Sequence, residues 1–318
     1  MGKGEFELIA AIRERLPPAG DNIGIGDDCA VIPGIEYDTL ITTDILAEKV
    51  HFLLSYYTMY DVGYKACAVN ASDILAMGGE VTGFFVSIAI PKQVSDSDIL
   101  EFYRGFSECA GPFGVTVLGG DTTASKSDLF ISVTATGRVK HGHALLRSTA
   151  HAGDIIYVLG RLGESAYGLK LLSEDHAHDR KDPFVTAHLR PPLYPELWQK
   201  IRSRYTITSA IDVSDGFLGD LFHILEMSGT SAEINADVSW SAVSSLPALA
   251  QTGKITSETA RELLWRGGED YALVFTSPET ISESGILAAG RIVNGRPRIM
   301  LRENGDIREL DHRGYVHF

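Results

Sequence analysis

The chain has 318 residues, of which 44% are apolar and 22% charged, a globular balance that excludes wholesale disorder and collagen-like or mucin-like architecture. At about 150 residues per domain this length predicts roughly two domains, each large enough to bury its own core. Its 28 basic and 42 acidic side chains leave a formal charge of -14, a field that repels polyphosphate backbones and argues against a nucleic-acid partner.

In chain order, GEFELIAAIRERL places Phe6, Ile9, Ile12 and Leu16 near one face of a helix that the following PPAGDN stops. The opening carries charges where a signal peptide needs an apolar stretch, and no apolar run reaches the ~18 residues of a membrane span. A cytoplasmic protein without membrane contact is expected. TLITTDI predicts a strand, and alanines and apolar residues at helical spacing predict a helix from Asp61 to Met77, ended by GG. TGFFVSIAIP is a second strand. SDSDILEFYRGFSECAG opens on a Ser95 cap with Asp98 three positions on, a capping-box variant. VTVLGG and LFISVTATGRV are further strands. After a turn-rich stretch around Ala150 the alternation resumes with IIYVLG, GESAYGLKLLS, YPELWQKIRSR, ITSAIDVSDG, FLGDLFHILEMSG and DYALVFT. Two mixed α/β or α+β lobes are therefore predicted, meeting between residues 140 and 152, which divides the chain into 1–148 and 149–318; strand order is not legible. Cys29, Cys67 and Cys109 are far apart and form no CxxC pair, so they read as reduced, semi-buried packing residues.

The aspartates stand out: GIGDDCA (Asp27, Asp28), ITTDI (Asp44), VNASDI (Asp73), LGGDTT (Asp121) and AIDVSDG (Asp212, Asp215). Taken singly, each reads as a solvated turn or an Asx cap. Together, acids at the ends of apolar strands point to a site, since packing gives no reason to put them there. Oxygen ligands without a histidine or cysteine cluster point to magnesium, which uses a few carboxylates plus phosphate oxygens. LGGDTT, read as a turn, would offer main-chain N–H groups to a phosphate. GxxxxGK[ST], a strand-linked GxGxxG, HRD and DFG are all absent, so a nucleotide would be held by another scheme. Arg147 in ALLRS lies beside the lobe boundary, equally a surface arginine or a phosphate ligand. His51, between Val50 and Phe52, reads first as a packing histidine, and Glu269 with Asp270 as either a charged turn or a substrate-contacting acid pair.

The motifs GEFELI, GIGDDCA, TTDIL, HF, YKACAVNASDILAMG, GGDTT, ALLRS, HLRPP, IDVSDG, GGEDY and GYVHF appear in an order and spacing that resembles the thiamine-monophosphate kinase family, nearly end to end. That family sits in the aminoimidazole ribonucleotide synthetase-like superfamily. The resemblance implies a homodimer whose amino-terminal lobes pair through their sheets, with ATP bound where lobes meet. It also implies that Asp28, Thr42, Thr43, Asp44, Asp73, Asp121, Asp212 and Asp215 bind several Mg2+ ions. Tyr103, Gly120, Asp121, Arg147 and Ser214 would contact ATP; His51, Glu269 and Tyr315 would contact thiamine monophosphate. Lys49, two positions before His51, stands where the family usually has a small residue.

The reaction so implied joins the γ-phosphoryl of ATP to the phosphate of thiamine monophosphate, with Asp44, Asp121 and Arg147 acting electrostatically. No general base is assigned, because the attacking phosphate oxygen is already largely ionised. The alternatives are another ATP-dependent synthetase of the superfamily and a metal-nucleotide binding module without catalysis. Selenophosphate synthetase is disfavoured by the lack of a reactive cysteine in an amino-terminal glycine-rich loop. The related hydrogenase-maturation enzyme is disfavoured by an ending in His317 and Phe318 rather than cysteine.

Overall fold

The structure, a computed structural model, describes residues 5–175 and 179–311. Helix α1 (Glu5–Arg13) ends earlier than the apolar spacing predicts, and Leu16 beyond it is exposed. Strands β1 (Ala30–Ile32) and β2 (Tyr37–Ala47) follow, then helix α2 (Met59–Ala76), β3 (Glu80–Ile90), α3 (Asp96–Ala110), β4 (Val117–Ala124) and β5 (Phe130–Lys140). The five strands form one sheet in the order β1-β2-β5-β3-β4, antiparallel except for the β3–β4 pair.

One face of this sheet is covered and the other is not. Along β2, Asp38, Leu40, Thr42 and Leu46 point inward, whereas Tyr37, Thr39, Thr43 and Ile45 are exposed, the period-2 pattern of a half-buried strand. Helix α2 starts two residues before the expected Asp61 because Thr58 caps it, reciprocated by Asp61; Ser95 and Asp98 cap α3 the same way, as their spacing predicts. The two helices cross at Gly63 and Gly105, where an added Cβ would lie 1.9 Å from the carbonyl oxygens of Phe102 and Tyr60 respectively. Only glycine permits that approach.

The second half builds β6 (Ile155–Leu159), α4 (Glu164–Glu174), α5 (Pro183–Leu189), α6 (Pro195–Arg204), β7 (Ser209–Asp212), α7 (Phe217–Ser228), β8 (Ser231–Asn235), α8 (Leu246–Gln251), α9 (Ser257–Arg266), β9 (Leu273–Ser277), β10 (Ile286–Val293), β11 (Ile299–Glu303) and β12 (Asp306–Leu310). Its seven-stranded sheet runs β12-β11-β8-β10-β6-β9-β7, with β8 and β11 parallel and the other pairs antiparallel. Both halves thus mix strands and helices, as the composition of the segments predicts.

The halves are joined by apolar packing. Leu75, Ala76 and Leu145 share a core with Tyr157, Trp198 and Phe275, and Trp198 Nε1 donates to the Leu75 carbonyl at 2.7 Å. Leu172, Val185 and Leu189 from α4 and α5 enter the amino-terminal core. Cys29, Cys67 and Cys109 are fully rather than partly buried. Among the described residues no helix is long and apolar enough to cross a membrane.

Candidate active site

A cleft of about 1180 Å3 is lined from both halves of the chain. β1 accompanies β2 only as far as Ile41, so beyond that point the edge of β2 borders the cleft and Asp44 sits within the strand, not at its end. Asp73 comes from the last turn of α2, Asp28 from the turn before β1, and Asp212 from the end of β7. These distant segments bring carboxylate oxygens of Asp28, Asp73 and Asp212 within 4.8 Å of one another. Thr42 Oγ1 donates to Asp73 Oδ2 at 2.6 Å, and the Asp44 main-chain N–H donates to Asn70 Oδ1 at 3.2 Å, fixing both acids to the β2–α2 seam.

So much negative charge in one buried place is costly. Burial, followed by repulsion from Asp28 and others, pushes Asp212 up to about 8. Burial and the charges of Asp44 and Asp212 hold Asp73 well above the carboxylate range, and burial with Asp28 raises Asp44. Burial also pushes Asp27 up to about 6. One cation opposes them: Arg147 Nη2 donates to Asp28 Oδ1 at 2.5 Å while its main-chain N–H donates to Asp27 Oδ1 at 2.9 Å. Burial works against the Arg147 charge, but Asp28, Asp27 and Asp212 outweigh it and raise its pKa. Asp28 Oδ2, Asp44 Oδ2 and Arg147 Nε are buried and have no hydrogen-bond partner among the described residues. Among the described residues the converging group is all carboxylate, with Cys29 in the same lining but outside it, and such an oxygen set with orphaned atoms fits a hard divalent cation such as Mg2+.

The loop after β7 adds Ser214 and Asp215, both at the cleft. Asp220 in the first turn of α7 holds that loop, accepting from the N–H groups of Asp215 and Gly216 at 3.1 and 3.0 Å. The Ser214 carbonyl accepts from the Glu269 N–H at 2.7 Å, and Glu269 takes φ 63°, the left-handed region.

At Glu269 the cleft changes character. Lys65 of α2, almost wholly buried, donates from Nζ to Glu269 Oε1 at 2.6 Å and to Tyr57 Oη at 3.0 Å. His188 of α5 sets Nδ1 3.1 Å from Ser165 Oγ and 3.5 Å from Glu269 Oε2. Burial tends to raise the Glu269 carboxyl, but the Lys65 ammonium reverses this and holds it below the usual value. Burial and then Lys65 push His188 down to about 3, so it is neutral. His51 lines the same end and accepts the Ala47 N–H on Nδ1 at 3.0 Å. Lys49, in the turn leading to it, has φ 70°, a conformation that a small residue adopts at less cost, and its ammonium is tied to Asp128.

The cleft therefore gathers Asp28, Thr42, Thr43, Asp44, Asp73, Asp212, Asp215, Arg147, Ser214, His51 and Glu269. Three expected residues lie elsewhere in the chain. LGGDTT is not a turn but the body of β4, the far edge of the first sheet. Gly120 is required there because a Cβ would lie 1.8 Å from the Val86 carbonyl oxygen. Asp121 pairs in register with Ser87, which pairs with Ser132, which pairs with Ile45, so it shares the bare face of the sheet with Ile45, whereas Asp44 belongs to the other face. Three strand spacings of about 4.8 Å put β4 roughly 14 Å from β2. Tyr103 is half-buried on α3, edge-on to Phe102. Tyr315 lies outside the described residues.

Lys65, His188 and Asp220 were not expected in the site, and Asp27 was expected among its acids but given no role. Lys65 carries a legible signal: it stands between Val62, Ala66 and Val69 on an otherwise apolar helix face, where a solvated lysine has no reason to be. His188 in HLRPP and Asp220 in FLGD give no comparable sign, since their importance arises from which loops they meet.

This arrangement has counterparts. Residues 26–139 match the family model described as AIR synthase related protein, N-terminal domain. A thiamine-monophosphate kinase of Bacillus subtilis (strain 168) is 36% identical over 86% of this chain and 83% of its own. One from Escherichia coli (strain K12) is 34% identical over 100% of this chain and 99% of its own. The solved structure of AaThiL complexed with AMPPCP and TMP superposes with a TM-score of 0.85 at 30% identity, covering 99% of this chain and 97% of that one. With four of the five acidic motifs drawn into a single cleft and the likeness running from end to end, the chain belongs to the thiamine-monophosphate kinase family.

Proposed function

We propose that this chain transfers the γ-phosphoryl group of ATP to the phosphate of thiamine monophosphate, in line, giving thiamine diphosphate and ADP. The observation that carries this reading is the convergence of Asp28, Asp73 and Asp212 within 4.8 Å at the floor of a cleft shared by both halves, in a chain similar over its whole length to thiamine-monophosphate kinases. Asp28, Asp44, Asp73 and Asp212, with Thr42 hydrogen-bonded to Asp73, would hold Mg2+, with Thr43 and Asp215 at the margin. Bound there, Mg2+ would offset the charge of the meeting phosphates and polarise the one in transfer. Two unit charges at about 4 Å repel by about 4 kcal/mol at an effective dielectric near 20, so one arginine cannot neutralise two phosphorylated substrates. Arg147, held by Asp27 and Asp28, would orient ATP phosphate oxygens beside Ser214. Glu269 and His51 would line the acceptor end, joined by Tyr315.

No side chain need remove a proton, because the acceptor oxygen of a phosphate monoester has a second pKa near 6. Free thiamine, whose hydroxyl titrates far above neutrality, should therefore not be phosphorylated. Product analysis with thiamine and thiamine monophosphate at equal concentration tests this: thiamine monophosphate formed from thiamine at a comparable rate would show that a base exists.

The active unit in this reading is a homodimer in the cytoplasm, its lobes the segments 1–148 and 149–318. Ile45, Phe85 and Phe130 are exposed on the uncovered face of the first sheet, an apolar surface suited to a second copy of itself. Docking of two such faces would bring Asp121 and Gly120 of one copy toward the ATP end of the other, which accounts for their distance from Asp44 within a chain.

A further inference from the structure

The proposed chemistry gives Lys65 nothing to do, yet placing it has a cost. A lysine 1% exposed must be paired, because an isolated ammonium in the protein interior forfeits its hydration. Its partner Glu269 is 29% exposed at the side chain, toward the cleft, and holds a left-handed backbone conformation unfavourable for a residue with a Cβ. The pair spans the molecule: Lys65 comes from α2 of the first lobe, Glu269 from the loop before β9 of the second. Tyr57 accepts the lysine's second hydrogen bond and donates its own hydroxyl to the His188 carbonyl at 3.2 Å.

We propose that Lys65 is a positioning residue for the phosphoryl acceptor: its buried ammonium pins Oε1 of Glu269 and cancels that carboxylate's charge, so the substrate meets a fixed hydrogen-bond acceptor in Oε2 instead of a mobile counter-ion. This rests on the reading that Glu269 contacts thiamine monophosphate. It also revises the simplest role for that acid. A carboxylate already matched by a lysine at 2.6 Å contributes little net attraction for the cationic thiazolium, and serves better as acceptor for an N–H of the uncharged aminopyrimidine. The other groups facing Glu269 do not replace Lys65. Tyr56, Tyr57 and Tyr271 are neutral phenols, His188 is neutral, Asp270 is spent on the N–H groups of Gly163 and Ser165, and His51 acts on the Glu269 carboxyl in the same sense as Lys65 but more weakly.

The test is a double-mutant cycle on the full-length protein, reading initial rates of thiamine diphosphate formation while thiamine monophosphate and ATP are varied in turn. Lys65→Met should raise KM for thiamine monophosphate by roughly 10- to 100-fold, the range for losing a hydrogen bond to a charged group, with KM for ATP changed less than about threefold. In the Glu269→Gln background the same substitution should add less than about threefold, since Lys65 acts through the carboxylate. If Lys65→Met does not fold, the Lys65→Met/Glu269→Gln pair, with no charge left unmatched, supplies the comparison against Glu269→Gln alone. Additive losses, or a rise in KM for ATP matching that for thiamine monophosphate, would overturn the proposal and make Lys65 a phosphate ligand or a general support of the fold. Absence of product from the wild-type protein would instead defeat the reading of the reaction.

Discussion

Arg147 and Asp28 form the one close ion pair inside the acidic cluster among the described residues, 2.5 Å from Nη2 to Oδ1, with the arginine side chain 18% and the aspartate side chain 1% exposed. The pair is half of a balance, since Asp28 Oδ2 remains without a hydrogen bond and Arg147 must serve Asp27 and Asp212 as well. Breaking such a pair strands the buried acid, at a cost of about 3–5 kcal/mol. Arg147→Met should accordingly lower the thermal midpoint in metal-free buffer, and added Mg2+ should narrow the gap to wild type. Thermal unfolding with and without Mg2+ checks this. A gap unaffected by Mg2+ would mean that the ion does not bind beside Asp28.

Removing an acid instead of the arginine should have the opposite effect. Among the described residues Asp73 meets Asp28, Asp44 and Asp212 with no cation of its own, and Thr42 supplies only a hydroxyl. Asp73→Asn should raise the metal-free midpoint, by about 1 kcal/mol or more of relieved repulsion. Asp44→Asn should likewise leave the fold intact. Both should lower turnover by several orders of magnitude at saturating Mg2+ and ATP. Near-wild-type rates in either, with unchanged circular dichroism, would contradict the metal assignment.

His188 gives the fold a pH dependence of definite sign. Its folded pKa near 3 lies below the ordinary 6.5, so between these values the unfolded chain binds the extra proton. Stability contributed by the neutral imidazole is full above pH 6.5 and is lost as pH falls toward 3. At about 1.4 kcal/mol per pH unit, the loss is roughly 2 kcal/mol at pH 5. The raised carboxyls of Asp73 and Asp212 titrate in the other sense, so the quantity to measure is a difference. The gap in urea-unfolding free energy between wild type and His188→Gln should shrink by that amount from pH 7.5 to 5. A gap constant with pH would show that His188 titrates alike in the folded and the unfolded chain.

The distance of Asp121 from Asp44 leads to a test by mixing. If Asp121 serves the partner's site, Asp44→Asn and Asp121→Asn are each inactive alone, but a mixed dimer carries one intact site. Co-refolding equal amounts should restore roughly a quarter of wild-type activity by random pairing of a two-fold dimer. No recovery, with light scattering showing dimers, would place Asp121 in its own chain's site or in none.

Much of the cleft is legible in the sequence because acids are conspicuous in apolar surroundings: Asp44 behind Thr42 and Thr43, Asp212 closing SAID, Asp28 in GIGDD. The body of helix α2 and the Ser95–Asp98 capping box follow from local side-chain spacing, which needs no tertiary knowledge, whereas the Thr58–Asp61 box that starts α2 two residues early was not read from the sequence. LGGDTT is the instructive failure. Two glycines and an aspartate favour a turn, yet pairing with β3 along Phe84–Ile90 overrides local preference, and the glycine serves a close strand approach. The Lys65–Glu269 pair was illegible for another reason, as 204 positions separate its members and only the docking of the lobes unites them.

The proposed function stands on transfer of a phosphoryl group from ATP onto a phosphate in the acidic cleft. Purified protein incubated with thiamine monophosphate and ATP labelled at the γ-phosphate, with Mg2+ and separately with excess chelator, tests it most directly. Labelled thiamine diphosphate and ADP should form in equal amounts with Mg2+, and neither with chelator. Label released only as inorganic phosphate, or thiamine diphosphate formed at the same rate with chelator present, would contradict it.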